Sequence, residues 1–362
     1  MFTLSVCMIV KNEERVLGRC LDGVSKIADE LIVVDTGSDD RTADIARQYT
    51  DKVFFHQWQN SFCEARNYAA SLATCDYVMW IDADNVIDDE NAERFCRLKS
   101  DTPEDVDVIF VINRNDLGVF SDYIFRDHII RRCYAAQFEG DIHEAIPIKP
   151  EWKRLFARDV CILHRKECVN EPTRNLDYLE RAQRARGTMT DRELAYYCRE
   201  LLVHGHPEKT VTAYRALVGR TRDNFCCYHS LIFAVKAWMQ MEQFDVCAQE
   251  IVKALETVEP TAYMYCQLGL CYEELGRTED AEAAYRLAIG TPERPETFCI
   301  QFAGYTDYFP ALRMTKLCRM AGRYAEAVEW NALARKAHPQ GLGWKWEAIL
   351  LQGKPNGLTE TN

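Results

Sequence analysis

The sequence predicts an α/β domain with a Rossmann-like, mostly parallel sheet, followed by an all-α domain of helical repeats. Short apolar runs alternate with helical patterns in the first part of the chain. Several of these runs are continuous, which is typical of parallel strands buried on both faces. Later, only helical patterns remain, and they recur at similar spacing. We therefore expect a first domain over residues 1–168, a helical connector over 169–190 and repeats over 191–350.

Composition narrows the class of protein. The chain has 362 residues and a net charge of -12, which argues against nonspecific binding to nucleic acid or to an anionic membrane surface. Its longest apolar runs are about five residues, far short of the ~20 that span a bilayer. The 16 cysteines include no CxxC pair, and most lie in apolar patterns, as expected of reduced core thiols. We expect a cytoplasmic protein without an integral membrane segment.

The apolar runs of the first domain predict its strands in order. We expect strands at residues 4–10, 30–35, 52–55, 77–81, 106–112, 125–132, 138–148 and 160–163. Helical patterns separate the first four of them, at residues 16–24, 42–49 and 62–73. Because ligands of such sheets bind beyond the carboxyl ends of the strands, the polar residues that follow these runs are the candidate site.

Two carboxylates follow the fourth predicted strand. Asp82 and Asp84 flank Ala83 directly after a buried apolar run. Buried charges are costly unless a cation compensates them. Mg²⁺ and Mn²⁺ prefer oxygen ligands and bind through one or two carboxylates plus substrate phosphates. A DxD motif alone is weak support for a metal site, because it also occurs by chance in turns.

Other polar residues lie near the same predicted edge. Asn12 and Glu13 follow the first strand, and Asp35 ends the second strand before a Gly-Ser turn, where it could accept a hydrogen bond from a base or a sugar. Arg66, on the helix at 62–73, could contact a phosphate or pair with an acidic residue. For Arg66 the ion pair is the simpler expectation.

Three residues near the later strands could act as metal ligands or bases. His143 and His164 could each bind a metal or accept a proton, although a lone histidine is more often structural. Glu144 is a candidate general base for a hydroxyl or thiol acceptor. The sequence contains no Walker A loop, GxGxxG, HExxH or GxSxG motif, which argues against P-loop, dinucleotide-dependent, zinc protease and serine hydrolase chemistry.

The C-terminal helices resemble tetratricopeptide repeats. The best copy spans residues 262–295 and carries Tyr265, Leu268, Gly269, Tyr272, Gly276, Ala281, Tyr285 and Ala288, followed by Pro292. Further copies fall at residues 231–254 and 311–339, with a degenerate one at 194–214. Each repeat pairs two helices that cannot bury their apolar faces alone, so these residues mainly pack. A stack of such pairs forms a groove where a partner could bind.

Four blocks of the first domain resemble glycosyltransferase family 2. They read LSVCMIVKNEERVLGRCLDGV, ELIVVDTGSDDRT, FCEARNYA and MWIDADNVI, and they match in order and spacing over about the first 90 residues. With the repeats, the chain is similar to bacterial family 2 enzymes that carry C-terminal tetratricopeptide repeats. That group includes peptide S-glycosyltransferases of the sublancin type.

The resemblance implies a GT-A fold and an inverting, metal-dependent, hexosyltransferase-like enzyme with a UDP-sugar donor. The metal would be Mn²⁺ or Mg²⁺, bound by Asp84 and His164. Glu144 with His143 is the nearest match for the catalytic base. The repeats would position an acceptor such as a peptide or protein, and they leave homo-oligomerisation open. The residues implied to bind the nucleotide-sugar are Val10, Asn12, Glu13, Asp35, Arg66, Asp82, Ala83 and Asp84.

Two other classes of function compete with this one. The chain could be a tetratricopeptide scaffold whose first domain binds a nucleotide-sugar without catalysis, although an inactive site would have no reason to keep two buried acids. It could also be a nucleotidyltransferase, which uses acidic residues and a metal as well. That class usually has a Gly-rich basic loop near its start, and KNEERVL has no glycine.

Overall fold

The computed structural model describes residues 1–59, 61–115, 121–140, 144–165, 173–292, 294 and 300–352. The chain divides into two compact units. The first comprises Met1–Asp116 and Tyr123–Asn175, and the second comprises Leu117–Asp122 and Leu176–Asn362. Within the described ranges, no helix has the length and apolar character needed to cross a bilayer.

The first unit is built on one mixed sheet, with strand order β3-β2-β1-β4-β7-β6-β8-β5. Strands β1 to β4 pair in parallel, and so do β6 and β8. Strand β7 runs antiparallel to β4 and β6, and β5 runs antiparallel to β8. The predicted parallel arrangement is thus confirmed for β1–β4. The strands are β1 (Leu4–Val10), β2 (Glu30–Asp35), β3 (Val53–Phe55), β4 (Tyr77–Trp80), β5 (Asn85–Val86), β6 (Val108–Asn115), β7 (Asp122–Arg131) and β8 (Arg154–His164).

Helices cover this sheet and bury its central strands. Every residue of β2 is buried, and β1 is buried except for the partly exposed Ile9, as expected of strands covered on both faces. Apolar residues of α1, including Leu17 and Leu21, pack with β1 in one core. The helices of this unit are α1 (Leu17–Val24), α2 (Thr42–Ala46), α3 (Phe62–Ser71), α4 (Asp89–Asp101) and α5 (Arg132–Ala135).

The strand expected at residues 138–148 is wrong. Short helix α5 follows β7 instead, and the described part of that stretch forms only an isolated bridge between Glu139 and Ala145. Gly140 adopts a φ of 96°, a left-handed conformation that interrupts an extended strand. Pro147 lacks the N–H that a strand would donate. The apolar residues of this stretch therefore pack from a loop.

The second unit is helical and confirms the repeats. Helices α7 with α8, α9 with α10, α11 with α12 and α13 with α14 pack as pairs, at the positions of the four predicted copies. Trp238 of α9 and Tyr285 of α12 are completely buried between helices. The helices are α6 (Arg174–Arg186), α7 (Asp191–Val203), α8 (Pro207–Val218), α9 (Asn224–Gln240), α10 (Phe244–Ala254), α11 (Ala262–Glu274), α12 (Thr278–Gly290), α13 (Tyr308–Met320), α14 (Tyr324–Ala337) and α15 (Leu342–Gln352).

Candidate active site

Arg66 links two carboxylates at the carboxyl end of β4. It lies on α3, and its guanidinium donates to Oδ1 of Asp82 at 2.8 Å and to Oε1 of Glu144 at 2.5 Å. The Arg66 side chain is 9% exposed, that of Glu144 11% and that of Asp82 41%. Of the two roles open to Arg66 from the sequence, the structure shows the ion pair, and with two acids rather than one.

These contacts keep Arg66 and Asp82 charged. Burial alone would lower the pKa of Arg66, but the charges of Asp82 and Glu144 raise it above its ordinary value. Burial would also raise the pKa of Asp82, but the Arg66 charge and hydrogen bond, with help from Arg126 and His128, lower it. Asp82 is therefore ionised at neutral pH.

Trp80, the last residue of β4, forms an aromatic shelf beside this ion pair. The Arg66 guanidinium carbon lies 4.8 Å from the centroid of its ring. Indole Nε1 donates to the carbonyl oxygen of Asp127 at 3.2 Å, and the His128 ring lies 4.3 Å from the indole. The shelf is thus held in place by β7, the neighbouring strand.

His128 is buried and neutral. Its Nδ1 donates to the carbonyl oxygen of Trp80 at 2.9 Å, and its Nε2 accepts from Nδ2 of Asn113 at 3.3 Å. One neutral tautomer satisfies both contacts. Burial, and then the nearby Arg126 charge, lower the pKa of His128 to about 3. This side chain therefore fixes the position of the β4 backbone just before Asp82.

Asp84 and His164 meet at the same edge of the sheet. Antiparallel pairing of β5 with β8 sets Asn85 opposite His164, and Nδ1 of His164 lies 3.1 Å from Oδ1 of Asn85 and 3.3 Å from Oδ1 of Asp84. Oδ1 of Asp84 is buried and makes no hydrogen bond with any described residue.

A divalent cation fits this pair. Adjacent ligands of an octahedral ion with bonds of 2.0–2.1 Å lie about 3 Å apart, close to the separation of Asp84 Oδ1 and His164 Nδ1. A buried carboxylate oxygen without a hydrogen bond also needs a cation or a donor. In the part of the chain that the structure describes, no group of three or more candidate ligands occurs. Oxygen atoms of a bound phosphate or water would have to complete the coordination.

Loops after β1 and β2 are hydrogen-bonded to each other near the same edge. Asn12 has a positive φ of 55°, its N–H donates to Oγ of Ser38 at 3.0 Å, and its Oδ1 accepts from the N–H of Asp39 at 3.0 Å. Oδ1 of Asp35 accepts from the N–H groups of Gly37 and Ser38. Its Oδ2 makes no hydrogen bond with a described residue, so one oxygen faces no internal partner.

The remaining predicted site residues are placed as follows. The N–H of Glu13 donates to Oγ1 of Thr42 at 2.7 Å. Val10 is buried, and its carbonyl oxygen accepts from both the N–H and the hydroxyl of Thr36. Ala83 packs in the core. His143 lies outside the described residues.

Several residues of the site were not anticipated from the sequence. They are Trp80, Asn85, Asn113, Arg126 and His128. A signal existed on β7, where Arg126 and His128 are two residues apart in a predicted strand and so lie on one face of it. The contact of Asn85 with His164 depends on pairing between two strands far apart in sequence, and the contact of Asn113 with His128 depends on how β6 pairs with β7. The apolar pattern alone does not give either pairing.

Comparison with known proteins identifies both units. The family model described as glycosyl transferase family 2 matches residues 5–162, which include every described residue of this site except His164. The first unit is a family 2 glycosyltransferase domain. A tetratricopeptide repeat model matches residues 262–292, on α11 and α12. The family 2 domain is therefore joined to helical repeats in one chain, as the sequence blocks predicted.

The relatives share only part of this chain. A TPR repeat-containing protein of Synechococcus elongatus is 38% identical over 147 residues, which cover 40% of this chain and 36% of that protein. The SPbeta prophage-derived glycosyltransferase SunS of Bacillus subtilis is 34% identical over 98 residues, covering 26% of this chain and 23% of its own. The match thus spans about a third or less of each relative's length.

Solved structures resemble the chain only locally. Glucosyl-3-phosphoglycerate synthase from Mycobacterium tuberculosis, in complex with Mn²⁺ and uridine-diphosphate-glucose, is 25% identical, and the match covers 31% of this chain and 44% of that one with a TM-score of 0.27. At so low a TM-score the likeness carries no argument about the site of the family 2 domain.

Proposed function

We propose that the protein transfers a sugar from a UDP-sugar donor to an acceptor, with inversion and with a divalent metal. The observation that carries the proposal is the buried Oδ1 of Asp84, which has no hydrogen bond among described residues and lies 3.3 Å from His164. In a family 2 glycosyltransferase domain, a carboxylate oxygen that has no hydrogen bond and lies beside an imidazole suits a metal ion that also binds the donor diphosphate.

The nucleoside half of the donor is assigned to the loops after β1 and β2. Asp35 keeps one carboxylate oxygen without an internal hydrogen bond, and that oxygen could accept from a uracil N–H or a ribose hydroxyl. Oδ1 of Asn12 accepts from the N–H of Asp39, so the side-chain amide nitrogen of Asn12 is the group that could donate to the nucleoside. Glu13, Val10 and Ala83 stay predictions, and the bonds Val10 already makes leave its carbonyl no further acceptor capacity.

Asp84 and His164 would hold Mn²⁺ or Mg²⁺. When bound, such an ion neutralises the departing diphosphate as a Lewis acid. Nδ1 of His164 lies 3.1 Å from Oδ1 of Asn85, and an ion bound at Nδ1 would replace this contact. Arg66 offsets the charge of Asp82, so that the two acids of the DxD motif do not repel the donor together.

Glu144 is proposed as the base. Its Oε1 accepts from Arg66, and its Oε2 makes no hydrogen bond with a described residue. The acceptor oxygen or sulfur attacks the anomeric carbon while the bond from that carbon to the diphosphate oxygen breaks. UDP leaves with the electron pair, the configuration inverts, and Glu144 takes the acceptor proton. A supporting role for His143 stays a prediction.

The repeats are proposed to bind the acceptor. A tetratricopeptide match and four packed helix pairs support a protein-binding surface in the second unit. A peptide or protein acceptor would suit such a surface. Homo-oligomerisation through the repeats stays a proposal of its own.

A reducing, cytoplasmic setting is also proposed. No disulfide joins any of the described cysteines, and most of them are buried. Thiols in that state are typical of proteins kept in a reducing compartment.

The test of the function is a screen for UDP release from a panel of UDP-sugars in MnCl₂, followed by mass spectrometry of peptides added as acceptors. We expect release with at least one sugar, its loss in Asp84→Asn, and transfer that falls by about 10²-fold or more in Glu144→Gln. Exposed Arg97→Gln on α4 serves as the control. Binding of UDP without turnover of any donor would instead favour the scaffold.

A further inference from the structure

Arg126 is a second arginine at the aromatic shelf. It lies on β7, and its guanidinium carbon is 5.8 Å from the centroid of the Trp80 ring. That ring is fixed by the bond from its Nε1 to Asp127 and by the adjacent His128 ring. The side chain of Arg126 is only partly exposed, so its charge has lost some of its hydration.

The two arginines at this shelf differ in their partners. Arg66 is compensated by Asp82 and Glu144. Arg126 makes no ion pair and no side-chain hydrogen bond with any residue of the described ranges. A guanidinium beside an indole ring, with no carboxylate of the described ranges at hydrogen-bond distance, can bind a further anion.

The charge of Arg126 acts on the proposed active site. It contributes, after burial, to the low pKa of His128, whose Nδ1 donates to the carbonyl oxygen of Trp80. With the Arg126 guanidinium carbon 5.8 Å from the Trp80 ring, this charge lies near the end of β4. Because Asp82 is already hydrogen-bonded to Arg66, the N–H groups of the Arg126 guanidinium stay available to a bound anion.

We propose that Arg126 binds the diphosphate of the nucleotide-sugar donor. A planar guanidinium matches two phosphate oxygens at once and is never deprotonated at working pH. The proposal rests on the proposed function. It adds a cation on β7, which lies on the other side of β4 from β1 and β2, whose loops would hold the uridine. A carboxylate of the acceptor is the competing occupant.

The test is isothermal titration calorimetry with UDP and with uridine in MnCl₂. In Arg126→Gln we expect UDP to bind about 10- to 100-fold more weakly, as for a lost charge-assisted hydrogen bond of about 1.5–3 kcal/mol. Uridine, which has no phosphate, binds as to the wild type. Arg126→Lys keeps the charge but cannot donate two parallel hydrogen bonds, so it recovers part of the lost UDP affinity. Arg97→Gln makes the same charge change on an exposed part of α4 and binds UDP normally.

Three results would overturn this proposal. UDP affinity unchanged in Arg126→Gln would show that the anion is not the diphosphate. Equal weakening of UDP and uridine would show that Arg126 acts on the fold of the site. If the wild type itself does not bind UDP, both the proposed function and this proposal are wrong. If the wild type binds UDP and Arg126→Gln binds it equally well, only this proposal is wrong.

Discussion

At the residue scale, the Arg66 guanidinium compensates two carboxylates of the candidate active site. Arg66 is nearly buried and satisfies two carboxylates, one from the DxD motif and one from the candidate base. Each acid by itself would be costly at this depth. Arg66 compensates this cost within the protein, so Asp82 is charged before any metal or donor binds.

Replacement of Arg66 tests this compensation. Arg66→Met should lower the free energy of unfolding by about 2–3 kcal/mol, below the 3–5 of a fully buried pair because Asp82 is partly exposed. Glu144→Gln in the Arg66→Met background should recover part of the loss, since it removes one uncompensated charge. Urea unfolding measures both, with Arg97→Met as the control. An unaltered unfolding midpoint in Arg66→Met would contradict the account.

His128 gives stability a pH dependence. Its pKa is about 3 in the folded protein and near 6.5 when unfolded. Between these values only the unfolded chain takes up the proton, so the folded state loses stability as pH falls below 6.5, by about 1.5–2 kcal/mol between pH 6.5 and 5. His128→Asn cannot titrate, so its stability should fall less over that range. Equal slopes for variant and wild type in thermal unfolding would contradict this.

The sequence predicted half of the site at this scale. Asp84 with His164, and Arg66 with an acid, were expected from strand ends and from the family resemblance, and the structure brings each pair together. Arg126 and His128 were not expected. Their roles arise where β7 lies beside β4 in antiparallel register, and an apolar run does not state which strand it will pair with.

At the scale of elements, small residues let the repeat helices approach closely. A Cβ added at Gly269 of α11 would lie 2.6 Å from Cε1 of Tyr285 on α12. The Tyr285 ring cannot turn away freely, because it is fully buried and its hydroxyl donates to Glu273 at 2.6 Å. The glycine of the repeat pattern is thus explained by packing.

Two glycine substitutions separate packing from helix propensity. Gly269→Ala should destabilise the protein by about 1–3 kcal/mol, because overpacking outweighs the gain in propensity. Gly290→Ala, at the end of α12, meets no atom within 4 Å and should be neutral or stabilising by up to ~1 kcal/mol. Urea unfolding compares the two. A stabilising Gly269→Ala would mean that the close approach of the helices is not maintained.

Elements were predicted best where one physical signal dominated. Continuous apolar runs gave β1, β2 and β4, and repeat spacing gave the helix pairs α7 to α14. The stretch 138–148 was predicted as a strand from its apolar residues, but Gly140 and Pro147 favour a loop there. Strand β8 begins at Arg154, earlier than expected, because Arg158 and Asp159 interrupt its apolar pattern where its pairing with β6 shifts register.

At the scale of the whole molecule, the chain combines a family 2 glycosyltransferase domain with helical repeats. We propose that the first unit binds the donor and carries out the transfer, and that the second unit binds the acceptor. The sequence predicted both parts because each has its own periodicity. The sugar and the acceptor depend on a few contacts that neither periodicity specifies.

Thermal unfolding with UDP and Mn²⁺ tests the central claim most directly. The wild type should gain several degrees in Tm with UDP and Mn²⁺ together, as expected for a ligand well above its Kd, and little with either one alone. Asp84→Asn should lose this gain. A UDP shift that is as large in EDTA, or that persists in full in Asp84→Asn, would contradict a metal-dependent nucleotide site at Asp84 and His164.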